Sequence, residues 1–232
     1  MNKIKIRRIA LPAILIVLIL ASVIYLSDYY PAAEDDGVFK NVTVSNEDGL
    51  MTFDGPGTES ALIFYPGGKV EYSAYSPLMS RLAESGIDCF LVDMPVNLAF
   101  FGVDKADEII ETNDYDRWFI GGHSLGGVAA SMYAEDHTLD GLILLASYPT
   151  EEIDEPTLSV YGSEDGVLDM EKYEEAKDLL PEEHTEVIIK GGNHAQFGDY
   201  GEQDGDGIAT ISADEQQDAT ANAIIEFIGA KN

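Results

Sequence analysis

Short apolar runs that stop at glycine or proline recur along this chain, and stretches with helical spacing separate them. Residues 61–65 (ALIFY) end in Pro66-Gly67-Gly68, residues 88–94 (DCFLVDM) close at Pro95, and residues 117–120 (RWFI) run into Gly121-Gly122. Further runs lie at 139–146, at 157–161 before Gly162, and at 186–190 before Gly191-Gly192. Between them, 73–85 carries Tyr75, Leu78, Met79 and Leu82 on one helical face and stops at Gly86. Helices are also expected over 104–111, 128–135, 170–180 and 213–228, the last opened by Ser212 with Glu215 three residues on, a capping box. Alternation of this kind predicts an α/β fold with a mostly parallel sheet and helices on its faces. At 232 residues the chain has room for one such domain.

Charge divides the chain. Residues 1–27 hold Lys3, Lys5, Arg7 and Arg8 and no acid, so nine of the 13 basic groups face all 43 acidic ones in the rest, a balance of −34. A surface that negative repels phosphate backbones and excludes nucleic acid as a partner. Ile9 to Leu26 is uncharged across 18 positions, the lower limit for a helix crossing a bilayer. Its exit, Tyr25-Leu26-Ser27-Asp28-Tyr29-Tyr30, lacks a small-x-small cleavage site. Residues 1–27 therefore read as a basic flank and an uncleaved signal-anchor transmembrane helix, with a cleaved signal peptide as the alternative. The basic flank marks the cytoplasmic side and sends the acidic domain outside. Residues 28–40, with Pro31 and Glu34-Asp35-Asp36-Gly37, read as a tether, and 41–232 as the folded domain. Cys89 is the sole cysteine, so no internal disulfide forms and thiolate-pair metal sites are excluded.

Residues 119–127 read FIGGHSLGG. A dinucleotide fingerprint requires glycine where His123 stands, and a P-loop requires a lysine where Gly127 stands. The pattern G-x-S-x-G fits as Gly122-His123-Ser124-Leu125-Gly126. A serine on a tight strand-to-helix turn takes strained backbone angles, and glycines two residues either side remove the resulting collisions. Gly121 and Gly127 are expected to serve strand–helix packing. The turn also aims the Leu125 N–H at the helix start, where it can stabilise an oxyanion.

A serine nucleophile needs a base and an orienting acid. Of His123, His137, His184 and His194, only His194 follows a strand in a glycine-rich loop able to reach the serine. Asp165, past the strand 157–161 and before Gly166, is the preferred acid over Glu164 and Asp93. Functional groups of such sheets gather at the carboxyl ends of the strands.

With Phe64-Tyr65-Pro66-Gly67-Gly68, Gly122-His123-Ser124-Leu125-Gly126-Gly127, Gly162-Ser163-Glu164-Asp165 and Gly191-Gly192-Asn193-His194 in this order, the chain from about Leu50 to Ile228 resembles the α/β-hydrolases, in particular their compact dienelactone-hydrolase-like and fold-5 members. The resemblance implies Ser124 as nucleophile, His194 as general base, Asp165 as orienting acid, and the Leu125 and Gly68 amides as the oxyanion hole, with Lys69 the alternative to Gly68. It implies a hydrolase of small-molecule or lipid esters that needs no cofactor; an amidase or peptidase on the same residues, and a non-catalytic binding domain, are the alternatives. The family's loop often begins His-Gly, and Pro66 replaces that histidine here. No cap-length insertion separates 139 from 156, so the site is expected to be open or loop-covered. Met94, Asn97, Tyr72, Tyr75 and Phe197 could line it, though each reads first as packing. Residues 199–207 are rich in oxygen ligands but lack an EF-hand pattern, so they read as a solvated loop beside the site and not a metal site.

Overall fold

The computed structural model describes residues 27–33, 40–182 and 184–229, so residues 1–26 of the expected signal anchor and residues 34–39 of the expected tether lie outside the described residues. Among the described residues no helix is long and apolar enough to cross a membrane. The rest forms one eight-stranded sheet in the order β1-β2-β4-β3-β5-β6-β7-β8. From β3 (Ser60–Tyr65) and β4 (Ile87–Val92) through β5 (Arg117–His123), β6 (Gly141–Leu145), β7 (Thr157–Gly162) and β8 (Thr185–Ile189), neighbours pair in parallel.

The inner parallel strands β3 to β7 were legible because they are covered on both faces, which favours apolar residues at successive positions, whereas the edge strand β8 is largely exposed. On β3, Leu62 and Phe64 join one core with Leu78, Met79 and Leu82 of helix α1 (Ser76–Glu84) and Ile224 and Phe227 of the C-terminal helix. Ala61, Ile63 and Tyr65 join the opposite core with Ala106 and Ile109 of α2 (Lys105–Thr112) and Ala129, Ala130 and Tyr133 of α3 (Leu125–Asp136). Each fully buried Leu or Ile on these strands contributes about 1.5–3 kcal/mol. Helix α4 (Met170–Ala176) precedes β8, and α5 (Ala213–Gly229) closes the chain. The expected capping box is present: Glu215 N donates to Ser212 Oγ at 3.2 Å, and Ser212 N to Glu215 Oε2 at 2.8 Å.

The sequence did not announce β1 (Thr43–Glu47) and β2 (Leu50–Asp54), an antiparallel hairpin on the β4 edge. Its turn is Asp48-Gly49 with φ of 49° and 81°, the two-residue, positive-φ turn that Asp-Gly favours. Residues 28–33 of the expected tether lie against the domain, with Tyr30 bridging Val70.

From β3 the chain crosses to β4 on one side, then returns to β5 on the other. The carboxyl ends of β3 and β5 therefore flank the topological switch point, where adjacent loops diverge and leave a crevice.

Candidate active site

Ser124 sits at the end of β5 with φ 52° and ψ −121°, a strained left-handed-side conformation for a non-glycine residue. Its N–H donates to Leu145 O at 2.9 Å, and Ser147 Oγ donates to its carbonyl at 2.8 Å. These bonds hold the turn from the β6 side. Ser124 is the first residue before α3, yet its side chain makes no capping hydrogen bond. A Cβ on Gly122 would meet Gly126 O at 2.5 Å, so β5 and α3 touch backbone to backbone across the turn. A Cβ on Gly126 would collide with the Tyr65 and Pro66 carbonyls of the β3 loop. Of the two glycines expected to serve strand–helix packing, Gly127 does so, since a Cβ there would lie 2.9 Å from the Gly122 carbonyl of β5 as well as against Ser147, whereas Gly121 abuts Ile143 of the neighbouring strand β6.

Gly68 is packed against Leu125, whose Cδ2 lies 2.8 Å from the position of a Gly68 Cβ. The loop after β3 thus brings the two expected oxyanion donors side by side. Lys69, the alternative donor, gives its N–H to Asn97 O at 2.7 Å. Leu125 opens α3, a 12-residue helix whose positive end reinforces any anion held there.

His194 and Asp165 arrive from β8 and β7. Their side chains are 2% and 1% exposed, and His194 Nδ1 lies 2.9 Å from Asp165 Oδ2. Asp165 Oδ1 accepts from Val167 N at 2.9 Å and Leu168 N at 2.8 Å, so the carboxylate is held from both oxygens. With Nδ1–H given to aspartate, the free lone pair of His194 is on Nε2, which is buried and has no hydrogen-bond partner among the described residues. The His194 ring lies 4.5 Å, centroid to centroid, from that of His123, the neighbour of Ser124. Base, acid and serine turn are therefore assembled at one end of the sheet.

The competitors are placed elsewhere. Glu164 is exposed and accepts from Ser163 Oγ at 3.0 Å. Asp93 sits beside Lys105, and burial raises its carboxyl above the ordinary range. His137 stacks on Tyr133, and His184 Nδ1 faces Pro181 O. His123 is held neutral: burial, then the neighbouring His194, push it well below the usual imidazole value. Its Nδ1 lies 2.7 Å from Tyr75 Oη, which also accepts the Gly67 N–H at 3.0 Å. Of the expected lining residues, Met94, Tyr75 and Phe197 are buried packing, and the Tyr72 hydroxyl is turned to Asn46.

Two further residues shape the site, and neither stood out in the sequence. Asp206, in the loop read as solvated, accepts four backbone N–H groups: Gly166, His194, Ala195 and Gly207, at 3.0, 3.2, 2.8 and 2.7 Å. One carboxylate thus ties the Asp165 loop to the His194 loop. Gln216 of α5, fully buried, accepts from Asn193 N at 2.9 Å and donates to Asn193 O at 2.7 Å, fixing the residue before His194. Among the described residues no cluster of three or more His, Cys, Asp or Glu side chains is arranged to hold a metal ion.

A family model described as "Alpha/beta hydrolase family" matches residues 61–218. Among solved structures, a dienelactone hydrolase from Anabaena variabilis is similar at 15% identity and TM-score 0.62, over 82% of this chain and 98% of that one. Est1E from Butyrivibrio proteoclasticus is 16% identical with TM-score 0.57, over 82% and 100%. A CIB-like hydrolase from Thermoplasma acidophilum is 15% identical with TM-score 0.61, over 80% and 99%. At these identities the likeness is one of fold. No curated protein matches the sequence.

Proposed function

Because the chain belongs to the alpha/beta hydrolase family, we propose that it is a serine hydrolase of carboxylic esters, working outside the cytoplasm from a membrane anchor. The observation that carries the reading is the buried Asp165–His194 pair, its Nε2 unengaged, beside a strained serine turn. In the reaction Ser124 Oγ attacks the acyl carbonyl while His194 Nε2 takes the hydroxyl proton. Asp165 keeps the proton on Nδ1 and stabilises the imidazolium. The tetrahedral oxyanion is met by the Leu125 and Gly68 N–H groups. His194 then protonates the departing alcohol, and water, activated by the same nitrogen, releases the acid and frees Ser124. No cofactor takes part in these steps. The location rests on the basic flank before the apolar run.

A fluorophosphonate probe and a short-chain p-nitrophenyl ester test the reading. Wild type is expected to be labelled and to turn over; Ser124→Ala is expected to do neither. Full activity in Ser124→Ala overturns the nucleophile, and an unlabelled, inactive wild type favours a binding domain instead.

A further inference from the structure

The described chain begins at Ser27, directly after the apolar run, and this segment is bound to the domain. Tyr30 N donates to Lys69 O at 2.7 Å, and Glu71 N donates to Tyr30 O at 2.9 Å. Ala32 N donates to the Glu71 carboxylate at 3.0 Å, and Ala33 N to Asp199 O at 2.8 Å. The Tyr30 ring lies 5.7 Å from that of Tyr200, and its hydroxyl accepts from Asp204 N at 3.3 Å. Asp28 pairs with Lys69 at 3.1 Å. Every one of these partners is on the loop carrying Gly67 and Gly68 or on the loop after His194. The segment is a strap across the carboxyl end of the sheet, beside the expected oxyanion donors.

The apolar run ends at Leu26, and the strap is fixed from Asp28. Two extended residues span about 7 Å. Whatever surface receives 9–26 is therefore held close to the active-site end of the domain, not to its opposite pole. That same end carries most of the large apolar side chains exposed among the described residues, while Val44, Met132 and Ile188 lie elsewhere. Val96, Phe100 and Phe101 (66% exposed) follow β4, Val167 follows β7, and Ile208 (90% exposed) follows β8. On a domain this acidic, apolar groups left in water at one end are stabilised by contact with a hydrocarbon boundary.

We propose that the active-site face lies on the bilayer that holds residues 9–26, and that the site takes acyl esters resident in that bilayer. The substrate half rests on the ester-hydrolase reading; the orientation does not. Zwitterionic lipid is the fitting surface, since a domain of net −34 is repelled by anionic headgroups.

The test uses the full chain in phosphatidylcholine vesicles, with a fluorophore on cysteines introduced as Phe101→Cys, Ile208→Cys and, at the opposite end before β3, Thr58→Cys. Cys89 is buried and stays unlabelled. Labels at 101 and 208 are expected to be quenched by lipid-borne quencher and shielded from iodide, with the reverse at 58. Labels at 101 and 208 as open to iodide as the one at 58 overturn the orientation. Inserting twenty Gly/Ser residues between Leu26 and Ser27 frees the domain from the surface without altering the strap. Turnover of diacylglycerol in the vesicle is expected to fall at least fivefold, with soluble-ester turnover unchanged. An unchanged ratio of the two rates overturns the substrate half. Failure of wild type on soluble ester strikes the hydrolase reading, and the labelling result stands apart from it.

Discussion

Tyr75 and His123, 48 residues apart, share a buried hydrogen bond of 2.7 Å that joins the nucleophile turn to the loop after β3. The same hydroxyl takes the Gly67 N–H, so it donates to imidazole and accepts from the backbone at once. Gly67 has little room to shift, because a Cβ there would lie 2.8 Å from both Tyr75 Oη and His123 Nδ1. Replacing Tyr75 by Phe leaves a buried N–H without its acceptor and an imidazole nitrogen without its donor. We expect Tyr75→Phe to lose about 1–3 kcal/mol of stability by denaturant unfolding. Since Gly67 precedes Gly68, the proposed oxyanion donor, kcat is expected to fall more than KM rises. Unchanged stability would show that the hydroxyl is dispensable.

Asp165→Asn tests the acid. An amide can donate to Nδ1 and turn His194 into the wrong tautomer, with its proton on Nε2. A loss in kcat of about 10³–10⁴-fold is expected, with KM nearly constant. Glu164→Gln, at an exposed side chain, is expected to leave both parameters within about twofold. Equal losses in the two variants would remove Asp165 from its assigned role.

Asp206 touches no reacting atom, yet it holds both loops that deliver the acid and the base. Asp206→Ala deprives Gly166, His194 and Ala195 of their common acceptor. The expected result is a fall in kcat of about 10²-fold, the size that follows small displacements of positioned groups, with slower fluorophosphonate labelling. Asp206→Asn keeps the acceptor oxygen for one pair of donors and is expected to recover part of the rate. Full activity in the alanine variant would make the carboxylate structural ornament.

Burial of His123 ties stability to pH. The folded imidazole, faced by Tyr75, His194 and Phe197, resists protonation, whereas the unfolded one binds a proton below about pH 6.5. Its contribution is complete above the unfolded value and is lost as the pH falls below it, at up to about 1.4 kcal/mol per pH unit. Asp88, Asp93 and Glu155, raised by burial, pull the other way nearer the carboxylate range, because the folded state takes their protons first. Guanidinium midpoints are therefore expected to drop from pH 7.5 to 5.5. The drop is expected to be shallower in His123→Gln, and a flat wild-type profile would contradict the account.

How much the sequence disclosed follows from what each element buries. Strands β3 to β7 are rich in apolar residues at successive positions because helices cover both of their faces. Strand β1 is exposed at all five positions, so its TVSNE has no pattern to detect. Ser124, Asp165 and His194 stood out as candidates because strained turns at strand ends need glycines, and those glycines stand in the sequence. Asp206 was not, since an Asp/Gly-rich loop has the same composition whether its carboxylates point to water or to backbone N–H groups. The strap failed to show for a related reason: Tyr30 is held through its own main chain, and hydrogen bonds of that kind leave composition untouched.

The contact of Gly122 with Gly126, and of Gly126 with the Tyr65 and Pro66 carbonyls, has a consequence for how far such a chain can diverge. At these two contacts peptide units meet directly, between the end of β5 and α3 and between α3 and the carbonyls that close β3. Their spacing is a property of polypeptide, not of any side chain that substitution could enlarge or trim. Residues throughout the two cores can then be exchanged, and the fold persists at the 15% identity shared with the Anabaena structure, without loosening the contact of strand, helix and loop at this turn. What such a chain cannot exchange at this turn are the glycines that let the main chain meet itself.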